Sequence, residues 1–343
     1  MQPLTPQEYF TNPAWQDHVL LDVRSPGEYA LGKLPGAQSL PLFTDEERAT
    51  VGTLYKQTSP DAALLEGLEI AGGKMRWLVE EARRLAPGNK VVVHCWRGGQ
   101  RSGSVAWLLE RAGFTVMKLT GGYKASRKHI RQYLSEDRHV LRVLSGPTGS
   151  GKTPILLAMR ELGAGVIDLE GLANHKGSAF GSLGEAPQPA TEEFENQLFA
   201  AFRDIPEGET VWLEDESRMI GHVYLPDEFY NRLTAAPVIS LEQPLEWRID
   251  HLVASYAKYP KEELEASFSR IRKKLGGQHL KAALEALAED DFATAARIAL
   301  VYYDKANHHY GERRNARVVG TVKADTPDHT EIARQVLAGY PVM

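Results

Sequence analysis

The segment that most constrains this chain is Gly146-Pro147-Thr148-Gly149-Ser150-Gly151-Lys152-Thr153, which matches G-x-x-x-x-G-K-[ST] and directly follows an apolar run, Val140 to Leu144. A chain that must leave a strand, curl its backbone N–H groups around an anion and open a helix is committed to α/β architecture there. Average residue usage gives such a match by chance on the order of 1% of the time in a chain this long. Pro154 fits the first helical turn, where a missing N–H costs nothing. The match assigns roles. The loop amides, shaped by Gly146, Thr148, Gly149, Ser150 and Gly151, surround a diphosphate, Lys152 neutralises its charge, and the Thr153 hydroxyl is placed for a magnesium ion. These groups recognise phosphate and carry no adenine-specific signal, so a nucleotide and another diphosphate are both admissible.

A second strand–turn–helix lies upstream: Val91-Val92-Val93-His94-Cys95-Trp96-Arg97-Gly98-Gly99-Gln100-Arg101-Ser102. Here too a loop at a helix N-terminus makes a pocket for negative charge, with Arg97 and Arg101 beside Trp96, Gly98, Gly99 and Gln100. That field lowers the pKa of a thiol at its centre and makes Cys95 a nucleophile beside an oxyanion site. Two glycines and two arginines argue against the commoner fate of a cysteine, burial as a small hydrophobe. Cys95 is the only cysteine in the chain, so no second thiol is present to resolve an intermediate formed on it.

At 343 residues the chain suits two domains. We expect residues 1–137 to carry the Cys95 site and residues 138–343 the phosphate loop, both as parallel sheets with crossover helices. Strands are expected at His18 to Val23, Val91 to His94, His139 to Leu144, Gly165 to Leu169, Thr210 to Leu213 and Val238 to Leu241, and a helical region over about 244–307. No apolar run approaches the ~20 residues of a membrane span, and the N-terminal sequence lacks a secretory pattern. With one cysteine, the expectation is a cytoplasmic protein without disulfides or a structural zinc site. The net charge of −5 leaves any nucleic-acid binding to a local basic surface.

Beyond the strand Val211-Trp212-Leu213, the carboxylates Glu214, Asp215 and Glu216 are placed to orient magnesium or its waters, with a solvated acidic turn as the alternative. Spacing does not say which of the three acts. Asp168 to Gly181 is polar and glycine-rich, a loop over the phosphate site in which His175 and Lys176 meet phosphate or substrate, or else lie on the surface. The helical region carries Arg248, Lys258, Lys261, Arg270, Arg272, Lys273, Lys274 and Lys281 with Tyr256, Tyr259, Tyr302, Tyr303 and Tyr310, followed by Arg313, Arg314 and Arg317. Such a surface holds an RNA backbone and stacks bases, although Glu262, Glu263 and Glu265 interrupt it and an ordinary solvated face reads equally well.

Three pieces resemble the rhodanese family: Leu20-Leu21-Asp22-Val23-Arg24-Ser25-Pro26-Gly27-Glu28-Tyr29, then Gly32-Lys33-Leu34-Pro35-Gly36-Ala37, then the Cys95 loop, with Gly121-Gly122-Tyr123 as the closing turn. Five residues separate Cys95 from Arg101, where the commonest sulfurtransferase loop has four. That spacing resembles phosphatases and arsenate reductases of the same fold, so a rhodanese-fold phosphatase or arsenate reductase joined to a kinase-like domain stays open. So does a nucleotide-dependent RNA-binding protein. The Cys95 loop, the phosphate loop, the Asp168 to Gly181 segment and Glu214-Asp215-Glu216-Ser217-Arg218-Met219-Ile220-Gly221 together resemble the tRNA 2-selenouridine synthases over nearly the whole length.

That resemblance implies a transferase that replaces sulfur by selenium in wobble 2-thiouridine of tRNA. Selenophosphate is the donor, and an S-geranyl intermediate is made from geranyl diphosphate. It implies Cys95 as the S-selanylcysteine intermediate, Arg101 as its catalytic partner and the phosphate loop as the diphosphate site. It also implies tRNA and a selenophosphate-supplying enzyme as partners, and no tightly bound cofactor.

Overall fold

The computed structural model describes residues 2–315 and 317–341, the side chains of residues 306–315 excepted. The chain divides into two compact units, residues 1–133 with 195–197, and residues 134–194 with 198–343.

The first unit runs β1 (Gln2–Leu4), α1 (Pro6–Thr11), β2 (Val19–Asp22), α2 (Pro26–Leu31), β3 (Gln38–Ser39), α3 (Asp45–Gln57), α4 (Pro60–Gly72), α5 (Met75–Leu85), β4 (Lys90–His94), α6 (Gln100–Arg111), β5 (Thr115–Leu119) and α7 (Gly122–Ser135). Its five strands are all parallel, in the order β1-β5-β4-β2-β3. A parallel sheet covered on its faces needs continuous apolar strands, and Val91, Val92 and Val93 of β4 are fully buried. Leu21, Leu40, Leu78, Val105 and Leu109 pack with β4 in one core. Gly113, at φ +91°, follows the end of α6 in the left-handed conformation that closes a helix.

One ion pair is sealed under the carboxyl ends of these strands. Asp22 and Arg24 are both fully buried. Arg24 Nη2 and Nε donate to the Asp22 carboxylate at 2.6 and 3.0 Å, and Arg24 Nη2 also donates to the Gly32 carbonyl at 2.6 Å. The guanidinium lies 3.8 Å from the Tyr123 ring centroid.

The second unit runs β6 (Val140–Ser145), α8 (Lys152–Glu161), β7 (Gly165–Val166), α9 (Leu169–Ala173), α10 (Thr191–Arg203), β8 (Thr210–Glu214), β9 (Met219–Ile220), β10 (Val223–Tyr224), α11 (Asp227–Ala235) and β11 (Val238–Glu242). Five helices follow: α12 (Leu245–Tyr256), α13 (Lys261–Arg270), α14 (Arg272–Leu275), α15 (Gly277–Ala288) and α16 (Phe292–Asn315), and then β12 (Val318–Lys323) and α17 (His329–Gly339). The parallel order is β12-β11-β6-β8-β7, and β9 and β10 form a separate antiparallel pair.

Three sequence expectations are corrected. The expected strand from Gly165 to Leu169 pairs only over Gly165–Val166, because Asp168 accepts from Gly171 N at 2.7 Å and starts a helix at Leu169. The expected loop over 168–181 therefore opens as helix. The helical region continues to Asn315 and gives way to an edge strand and a closing helix. The strand Val318–Lys323 alternates half-buried and exposed residues, a weaker signal than the buried runs of β8.

The buried pair gives a test of the first unit. Arg24→Met leaves the Asp22 carboxylate buried without its partner and is expected to cost about 3–5 kcal/mol in urea unfolding. A loss under about 1 kcal/mol would contradict the burial of that charge.

Candidate functional site

The Cys95 loop is shaped by contact with a second turn. A Cβ on Gly122, whose φ is +57°, would stand 2.2 Å from the Cys95 carbonyl oxygen, so only glycine admits this approach. Behind it Tyr123 N donates to the Cys95 carbonyl and Lys124 N to that of Trp96, both at 2.9 Å. Trp96 packs on Tyr123 at 5.5 Å, which carries the order of the Asp22–Arg24 pair up to the loop. Arg97, Gly99 and Gln100 are exposed.

Cys95 is 3% exposed, with Sγ 3.3 Å from Ser102 Oγ. Burial pushes its thiol pKa up. The Ser102 hydroxyl and N–H, the Arg101 charge and the Arg97 N–H outweigh burial and bring it below the ordinary value. Arg101 does not face the thiol alone: Nη1 and Nη2 fork onto Glu28 at 2.6 and 3.2 Å. Glu28 also accepts from Ser25 N at 3.1 Å, closing the capping box of α2. Ser102 and Glu28 are thus site residues for which sequence reasoning assigned no role. Both stood in its quoted motifs, but nothing in linear spacing says that residue 28 meets residue 101. Below the loop His94 is fully buried 3.7 Å from Asp22. Burial first, and then Arg24, push its pKa down against the pull of Asp22.

In the second unit Gly151, at φ +66°, is the N-cap of α8, and Lys152 Nζ donates to the Gly146 carbonyl at 3.3 Å, folding back over the loop. Thr153 Oγ1 donates to Glu170 Oε2 at 2.8 Å. Glu170, on the short helix α9, was not among the expected site residues, because its segment was read as loop.

The three carboxylates after β8 separate. Glu214 is fully buried and accepts from Leu169 N at 3.0 Å. Burial and the nearby Asp168 and Glu170 charges hold its pKa far up. Asp215 accepts from Ser145 Oγ at 2.9 Å and lies 3.8 Å from Arg317. Glu216 alone joins Glu170: both carboxylates come within 3 Å of where a Gly177 Cβ would stand. Burial, with Glu170 beside it, pushes Glu216 up to about 8 against the opposing charge of Lys152. One proton shared across Glu170 and Glu216 relieves that repulsion. Among the described residues no three His, Cys, Asp or Glu side chains are arranged to hold a metal. A magnesium ion here would therefore need Thr153, one or two carboxylates and phosphate oxygens together.

Lys176 is engaged within the unit. Its Nζ lies 2.8 Å from Glu185 and donates to the Leu183 carbonyl at 3.2 Å, over the rings of Tyr256 and Tyr259. His175 is half-buried, and burial, then His222 and Arg270, lower its pKa. Arg248 is buried and forked onto Asp304, so it leaves the expected basic surface. Arg270, Arg272, Lys273, Lys274 and Lys281 are exposed. Tyr310, Arg313 and Arg314 fall among the side chains outside the described set.

Two family models match this chain, the rhodanese-like domain over residues 5–129 and the tRNA 2-selenouridine synthase AAA domain over residues 139–335. The chain belongs to the tRNA 2-selenouridine synthase family. Proteins named tRNA 2-selenouridine synthase from Nitrosomonas eutropha and Bdellovibrio bacteriovorus are 39% and 43% identical to it, each over 70% of this chain. The matches span 63% and 65% of those two proteins, just under two thirds of their length. The protein of the same name from Sulfurovum is 34% identical over 93% of this chain and 96% of its own. Both sequence expectations of fold hold: a rhodanese domain, then a parallel α/β P-loop domain. No helix among the described residues is long and apolar enough to cross a membrane.

Two measurements probe these geometries. The pH profile of Cys95 alkylation by iodoacetamide should have its midpoint below the ~8.5 of a free cysteine and move up in Ser102→Ala. A midpoint unmoved by the substitution contradicts the role of that hydroxyl. For Glu216 the folded state holds the proton more tightly than the unfolded chain, so its contribution is full below the ordinary carboxylate pKa and is lost as pH rises towards about 8. Melting temperature should fall across that window, and Glu216→Gln should flatten the slope. An equal slope in the variant contradicts the shift.

Proposed function

We propose that this protein is a cytoplasmic transferase that exchanges sulfur for selenium at C2 of wobble 2-thiouridine in tRNA, in two steps. In the first, the 2-thiocarbonyl sulfur attacks C1 of geranyl diphosphate. A C–S bond forms, the C–O bond breaks, pyrophosphate leaves, and the N3 proton of the base is released to solvent or to the pyrophosphate. The P-loop amides and Lys152 hold the charge that develops on that leaving group, the term on which such a step most depends. Thr153 with Glu170 or Glu216 would hold a magnesium ion, which would supply further positive charge to the phosphates.

In the second step selenium from selenophosphate forms a bond to C2 and the S-geranyl group leaves as the thiol. Water cleaves the P–Se bond to give phosphate, and the exchange is redox-neutral. Cys95 meets the selenium donor, with the loop amides of residues 96–100 as the oxyanion site and Arg101, aimed by Glu28, as the flanking charge. A selenophosphate-supplying enzyme is the expected partner. The observation that supports this reading is the pairing, in one chain of this family, of a thiol at the start of one strand–turn–helix loop with a G-x-x-x-x-G-K-[ST] loop that opens α8 at Gly151.

Incubation with 2-thiouridine-containing tRNA, geranyl diphosphate and selenophosphate, followed by nucleoside mass spectrometry, should yield 2-selenouridine with the wild type and none with Cys95→Ser. Absence of the selenonucleoside from active wild-type preparations, alongside phosphatase or arsenate reductase turnover, would replace this reading with the alternative of the same fold.

A further inference from the structure

The P-loop has a neighbour that no part of the reaction above uses. Helix α12 lies along it: Arg248 Nε donates to the Thr148 carbonyl at 2.9 Å, and a Cβ on Gly149 would fall 3.0 Å from the Arg248 carbonyl oxygen and 3.1 Å from Leu252. His251 shares the face of Arg248, three residues on. From another element His329, the first residue of α17, brings Nε2 to 2.5 Å from where a Gly151 Cβ would stand. The two imidazoles meet edge to face, with centroids 5.3 Å apart and planes at 88°. Among the described residues no hydrogen bond engages either ring.

We propose that His251 and His329 form a second wall of the phosphate site, two imidazoles that hydrogen-bond an incoming diphosphate and take up a proton as it docks. The inference rests on the reading of the loop as a diphosphate site. Its physical basis is the field around the pair. Burial, His329 and Lys152 hold His251 down at about 4, and burial lowers His329 against the opposing charge of Asp328 at its own helix cap. Arg248, the other cation on that face, is already neutralised by Asp304. In the empty site both effects favour the neutral form of the rings. A diphosphate on Lys152 reverses the sign of the local field and favours imidazolium. By linkage, affinity rises as pH falls through the pKa of the liganded state. A neutral pair able to charge on demand avoids the repulsion that two permanent cations would exert on Lys152 in the empty site.

Titration calorimetry of the full chain with pyrophosphate at about pH 6.5, in buffers of different ionisation enthalpy, counts the protons taken up. The wild type should take up more than a His251→Asn, His329→Asn double variant. Its affinity should also fall faster with rising pH, by up to roughly tenfold per unit for each proton. In unaltered protein, ¹⁵N-histidine spectra should show two rings passing from neutral to protonated on saturation, which keeps the test independent of the variant's folding. Wild-type binding with the same proton count as the double variant, and no ring that titrates on binding, overturns this proposal alone. A wild type that binds no pyrophosphate, like a Lys152→Ala control, overturns the reading of the loop as well.

Discussion

Each of the two anion loops takes its shape where two stretches of main chain approach closer than a side chain allows. Both candidate sites depend on that constraint. In the first unit, Gly122 meets the Cys95 carbonyl where a Cβ would stand 2.2 Å away. In the second, Gly149 turns through φ +82° where a Cβ would stand 3.0 Å from the Arg248 carbonyl oxygen. Each loop then hands its amides to a helix N-terminus, so the same field of partial positive charge is built twice. The chemistry differs because one loop places a thiol at the centre of that field and the other a lysine.

What supports each loop is a separate matter from what lies in it. Under the thiol loop the order runs from the sealed Asp22–Arg24 pair through Tyr123 to Trp96, by ion pair and ring contact. Around the lysine loop it runs through Arg248, whose guanidinium reaches both Thr148 and Asp304. These arginines resemble ligand-binding groups in a sequence, yet both are buried and ion-paired within their own units. Of the anion-facing cations, Arg101 is forked onto Glu28, whereas Lys152 folds onto the Gly146 carbonyl within the field of Glu170 and Glu216.

Much of this was legible in the sequence because the informative signals were local. The strands Val91 to His94 and Thr210 to Leu213 were apolar runs ending at glycines or acids, and both loops were contiguous motifs. Glu28 with Arg101, Glu170 with Thr153 and His251 with His329 were not legible, because each pair joins elements distant in sequence. The split among Glu214, Asp215 and Glu216 was hidden for a related reason. Three adjacent carboxylates look alike until the partners Leu169 N, Ser145 and Glu170 are known. The strand Val318–Lys323 escaped notice because an edge strand needs only alternation, not a buried run.

The proposed function divides the labour between selenium chemistry at Cys95 and diphosphate chemistry at Lys152. The most direct measurement assays the two half-reactions separately. Lys152→Ala and Cys95→Ser proteins are each given 2-thiouridine tRNA with geranyl diphosphate, and S-geranyl-2-thiouridine tRNA with selenophosphate. Lys152→Ala should lose geranylation and keep selenation of the geranylated tRNA, while Cys95→Ser should do the reverse. Loss of both half-reactions in either variant, with its fold intact, would contradict this division.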